Sequence, residues 1–176
     1  MVLAALLAGL AVVAAGCGKS ADQKANEAYA NSVCNAASAW ESQVKDIVSS
    51  LNAADLSKPA LQAKLTQIES ATKTLLTQIK AVPPPNTSEG TAAKQQVNQL
   101  TTQLSTTVTA VKSAAASIPS NASAATIATT MASVAPQVAS LGTSAKSTLD
   151  AIESASGSLA DAFKSNDTCK SLTNNS

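Results

Sequence analysis

From Val33 onward the apolar residues of this chain recur at alternating steps of four and three: Val33, Ala37, Trp40, Val44, Ile47 and Leu51. A half-buried strand would alternate every second residue, whereas this rhythm is that of a helix burying one stripe. The spacing predicts a first helix over about 22–52. A second stripe, from Leu61 through Leu65, Ile68, Thr72, Leu75 and Ile79 to Val82, keeps the same rhythm and stops at Pro83, Pro84 and Pro85. Proline donates no amide hydrogen and clashes with the preceding turn, so a helix ends there. Ser57 is the expected N-cap of this second helix, with Pro59 in its first turn. A third helix is expected from Thr87 or Ser88, with Val97, Leu100, Leu104, Val108, Val111, Ala115 and Ile118 on its stripe and one stutter, closing at Pro119.

The last periodic segment carries Ile127, Met131, Val134, Val138, Leu141, Ala145, Leu149, Ile152, Ser156, Leu159 and Phe163, and is helical in period to about Ser165. Unbroken, it would be roughly 60 Å long, against roughly 45 Å for the first helix. Pro136 removes the bond to the carbonyl of Ala132 and pushes Ala135 out of helical geometry, so a kink or break near 132–136 is expected. Four helical passes with short connections favour neighbours of opposite direction. The expectation is an all-α chain: an antiparallel up-down-up-down four-helix bundle with coiled-coil-like packing, its last helix kinked or broken near Pro136.

Composition sets the texture of that core. Hydrophobic residues make up 45% of the 176 residues, but aromatics only 2%, so the stripes are alanine, valine and leucine and the helices can approach closely. The net charge is +1, and all 12 basic residues are lysine. Nucleic acid is not an expected partner, because phosphate tracking needs a dense basic stripe and base reading leans on arginine or stacked aromatics.

Residues Met1 to Gly16 form an apolar run that stops at Cys17 and gives way to a polar stretch. The run has the length of a signal peptide and falls short of a membrane span. Ala14, Ala15, Gly16 and Cys17 read as a lipobox, in which small residues admit the peptidase and the thiol of Cys17 receives a diacylglycerol. On these residues the chain resembles bacterial lipoproteins, although Ala14 stands where leucine is commonest and no lysine or arginine precedes the run. The missing basic charge predicts a true start upstream of Met1. With its alanine-rich leader, low aromatic content and terminal cysteine pair, the chain looks like the small helical lipoproteins of actinobacteria, a resemblance that brings no activity with it. It implies lipid anchoring on the extracytoplasmic face of the membrane, with 1–16 as signal peptide, 17–22 as lipidated tether, 23–170 as helical bundle and 171–176 as flexible tail.

With Cys17 acylated, Cys34 and Cys169 remain, an even pair in an oxidising compartment. A disulfide is the expectation, with free thiols as the alternative; without any histidine in the chain, two thiols make a poor zinc site. An up-down-up-down topology would bring both chain ends, and with them Cys34 and Cys169, to one end of the bundle. The same geometry gathers Tyr29, Trp40 and Phe163 toward the cysteines. Trp40 reads as a core residue on its stripe or, in the alternative, the three aromatics line a ligand pocket beside the bridge.

The absence of histidine also removes the common general base. Ser42 to Lys45 and Ser70 to Lys73 both match S-x-x-K, but no K-T-G follows, and a serine-rich chain yields such matches by chance. Asp150 and Glu153 share a helical face that could hold a cation or simply be solvated, and Glu41 and Lys45 have ion-pair spacing. No catalytic residue, metal or cofactor is expected. The expected role is a non-catalytic interaction or spacer module binding an envelope protein or cell-wall polymer; the alternative is a small-molecule or lipid-binding helical module with its pocket near the aromatic, disulfide-bearing end.

Overall fold

The computed structural model describes residues 19–50 and 57–174. Cys17 and the leader before it, together with Leu51 and residues 175–176, lie outside the described residues. The described chain is all-helical, in six helices: α1 (Ala21–Ser49), α2 (Lys58–Ala81), α3 (Ser88–Ala116), α4 (Ala124–Ser154), α5 (Ser158–Ser165) and α6 (Asp167–Asn174).

Each long helix begins where a side chain satisfies its open amides. Ser20 forms a capping box with Gln23 at the start of α1. Ser57 accepts from the amide of Ala60 with Pro59 in the first turn of α2, Thr87 accepts from Gly90 at α3, and Ser123 accepts from Thr126 at α4. Gly90 is required by close approach: a Cβ there would fall 2.0 Å from the carbonyl oxygen of Pro85, so glycine lets the proline turn lie against α3.

The stripes are the core. Val33, Ala37 and Trp40 of α1, Leu61 to Ile79 of the second stripe, and Val97 to Ile118 of the third are buried, while Val44, Ile47 and Val82 pack against the core half-buried. Consecutive long helices pack on one another, α1 on α2, α2 on α3 and α3 on α4.

The last long helix departs from expectation. The break near Pro136 does not occur: α4 runs continuously for 31 residues with Pro136 inside it. Both Pro136 and Ala132, whose carbonyl loses its donor, lie on the exposed face, where water can take the freed bond, while Val134 and Leu141 stay buried on either side. The length mismatch is relieved further on. The chain leaves the helix at Ala155 and turns at Gly157, so α4 spans about 46 Å beside an α1 of about 44 Å. Ser156, placed on the last stripe by sequence, is therefore exposed in the turn. Within the stretch expected as a tail, α6 continues to Asn174 and buries Leu172. At the other end α1 starts at Ala21, inside the expected tether.

Candidate functional site

The turn at Gly157 creates the site. Its φ of 111° lies in the region that glycine alone enters freely, and a Cβ there would sit 1.9 Å from Oε1 of Glu89. Glu89, in the first turn of α3, accepts the amide of Leu159 at 2.9 Å and so supplies the cap that α5 lacks locally. The chain then climbs along α1. Asn26 donates to Ser158 at 2.8 Å, Tyr29 meets Phe163 edge-on with ring centroids 6.1 Å apart, Asn166 donates to Asn31, and Cys34 is bonded to Cys169 with a Cα separation of 5.2 Å. The partner numbers rise together on both sides, so α5 and α6 run in the direction of α1. Asn166 also caps α6 by accepting from the amide of Cys169 at 2.9 Å.

This return segment packs against both α1 and α4, whereas α1 and α4 make no extensive contact with each other. It fills one half of the seam between them. In the other half an apolar cleft of about 590 Å³ stays open. Its walls are Trp40, Val44 and Val48 from α1 and Met131, Val138 and Ala139 from α4; Leu61, Leu65 and Ile68 of α2 form the floor, and Leu172 of α6 closes the end nearest the disulfide. Val48, 41% accessible, is the exposed large hydrophobic residue among the described ones, and it lies on this cleft. Gly142 lines it too, with nothing within 4 Å of where a Cβ would stand.

Trp40 donates from Nε1 to the hydroxyl of Thr72 at 3.1 Å, and Thr72 donates in turn to the carbonyl of Ile68 at 2.8 Å. The polar edge of the indole is thereby satisfied, and the cleft interior keeps a hydrocarbon character. Charge sits among the lining residues as Glu41, Lys45 and Lys146. No ion pair joins Glu41 to Lys45, although their spacing suits one; the ion pairs among the described residues are Lys19 with Glu27, Lys73 and Lys112 with Glu69, and Lys170 with Asp167.

The three aromatics singled out from sequence are thus divided. Tyr29 and Phe163 are buried at 3% and 0% accessibility beside the disulfide and do not line the cleft, whereas Trp40 does. Burial alone pushes the Tyr29 hydroxyl above its ordinary range. Of the two S-x-x-K matches, both serines are exposed and Lys73 is held by Glu69 at 2.8 Å. Asp150 and Glu153 stand differently from each other. Oε1 of Glu153 is buried without a hydrogen-bond partner, and burial, then the nearby Asp150, raise its pKa, with Lys164 pulling it back.

Sequence reasoning missed Met131, Gly142, Lys45 and Lys146 as cleft residues. The Ser156-Gly157 dipeptide was the available signal, since it marks a turn and thus the return segment that props the seam open. No helix among the described residues is long and apolar enough to cross a membrane. Compared with family models, curated proteins and solved structures, the chain matches none of them.

Proposed function

We propose that this chain is a lipid-anchored envelope protein that performs no chemistry and holds an apolar ligand in the cleft between α1 and α4. The supporting observation is the cleft itself: its volume lies in the usual range for small-molecule sites, its walls are aliphatic, and its polar groups are few. In this reading α1 to α4 alternate in direction as an up-down-up-down bundle. Support comes from Lys58, at the start of α2, which donates to the carbonyl of Ile118 beyond the end of α3, and from Glu69 within α2, which reaches Lys112 within α3 at 2.7 Å. The return of α5 and α6 along α1 wedges the fourth seam of that bundle apart. Anchoring rests on the lipobox ending at Cys17, whose acyl chains would each contribute about 0.8 kcal/mol per buried methylene.

Two experiments test the reading. Native mass spectrometry of protein gently released from its membrane should find an apolar ligand of defined mass, absent from a Gly142→Leu variant that fills the cleft. A bare mass, together with Trp40 emission unmoved by an apolar dye, would leave the interaction or spacer role in its place. For the anchor, Cys17→Ser should release the chain into the soluble fraction, and retention on the membrane would refute lipidation.

A further inference from the structure

The chemistry of the cleft narrows what it can hold, granted that the cleft is the binding site. Valine, leucine, isoleucine and methionine side chains make its walls, and the one aromatic ring, Trp40, has its N–H already bound to Thr72. Its polar lining side chains are few, Glu41, Lys45, Thr143 and Lys146, too few to match the many hydroxyls of a sugar, and unmatched polar groups are costly to bury. Branched aliphatic walls with a flexible methionine suit a hydrocarbon chain that can bend to fit. The volume, about 590 Å³, suits one such chain and is small for a two-chain lipid.

The head group follows from charge. Lys45 and Lys146 line the cleft, one from each wall, and neither is held in an ion pair among the described residues; Glu41 is the only acidic lining residue. Two cations against one anion leave the cleft net positive, which selects an anionic head. The cleft begins at Ala37, sixteen residues into α1 and so about 24 Å along the helix from its start. The cleft thus lies toward the end of α1 remote from Cys17.

We propose that the α1–α4 cleft binds a single long acyl chain with an anionic head, its hydrocarbon between Trp40 and Val138 and its charge toward Lys45 and Lys146. Such a ligand comes either as a free fatty acid or as a monoacyl phospholipid drawn from the membrane.

The test is a detergent-free titration of the full chain carrying Cys17→Ser, followed through the emission of Trp40, the only tryptophan present. The ligands are hexadecanoate, octanoate, monoacyl phosphatidylglycerol and hexadecyltrimethylammonium, each below its micelle concentration. Hexadecanoate or the monoacyl phospholipid should bind at least about tenfold more tightly than octanoate, because each buried methylene adds affinity. Either should also exceed the cationic amphiphile of equal length by about tenfold, and a joint Lys45→Gln and Lys146→Gln change should erase that preference. The tighter of the two anionic ligands identifies the source. Gly142→Leu should abolish binding while the circular dichroism spectrum is unchanged. Equal affinity for anionic and cationic amphiphiles overturns the head-group assignment. If a neutral apolar dye binds in a Gly142-dependent way and no acyl ligand does, the acyl proposal fails while the cleft stands; if acyl binding survives Gly142→Leu, the cleft is the wrong site and both readings fall.

Discussion

A methyl group at Gly157 would meet the Glu89 carboxylate 1.9 Å away in a backbone conformation that L side chains rarely adopt, so two independent costs fall on one substitution. Gly157→Ala should lower stability by about 2 to 4 kcal/mol, read from chemical denaturation, whereas Glu89→Ala removes only the cap and should cost about 1 kcal/mol. Equal effects would mean that the turn itself is not strained. Glu153 supplies a prediction of the opposite sign. A carboxyl whose pKa is raised by folding favours the protonated state, so stability is greatest below the unfolded value and falls as pH rises through the folded one. Glu153→Gln should therefore raise the melting temperature at pH 7 and change it little at pH 4. A variant no more stable than the parent at neutral pH would contradict this. Glu69 behaves conversely: hydrogen bonds from Lys112 and then Lys73 hold its pKa at about 2. Its contribution is fully present above the ordinary value of 4.5 and is lost as pH falls toward 2, so a Glu69→Gln comparison should converge with the parent only at strong acid. The sequence placed Asp150 beside Glu153 on one helical face and set Lys73 four residues after Glu69, but the amide of Leu159 that Glu89 caps, the burial of Glu153 and the reach of Lys112 to Glu69 depend on tertiary packing that local spacing does not encode.

Helices were easier to read than their ends. The stripes of α1, α2 and α3 follow from apolar period and from Ser57, Thr87 and the proline run, all of which act within a few residues of themselves. Pro136 does not break the helix because its cost is local and of about 3 kcal/mol, whereas the burial of Ile127, Val134 and Leu141 that keeps α4 continuous through it is a tertiary gain. Replacing it tests that competition. Pro136→Ala restores an amide donor to the carbonyl of Ala132 and should raise stability by about 1 to 3 kcal/mol without changing helical content. A loss of stability would show that α4 depends on the proline. The division between α4 and α5 was hidden for a different reason: Leu159 and Phe163 continue the period of the preceding helix, and only the Ser156-Gly157 turn separates them.

The whole molecule is organised by a return segment tied down at Cys34 and Cys169, residues 135 apart in sequence. Cross-linking so long a loop removes freedom chiefly from the unfolded chain, worth on the order of 4 to 5 kcal/mol at most. The pairing was expected from cysteine count and compartment. Its route was not, since α5 and α6 reach Cys34 by climbing beside α1 and thereby keep α4 away from it. Cys17 and the leader, which carry the anchoring proposal, remain readable from sequence alone. The cleft is the consequence of that displaced seam, and its openness can be probed without any ligand. Thermal unfolding of Gly142→Leu does so: with empty space at that position, the leucine enters the cleft without displacing a neighbour and gains helix propensity, so the melting temperature should hold or rise by a few degrees. A fall of several degrees, the mark of a side chain forced into a closed and packed seam, would contradict the cleft.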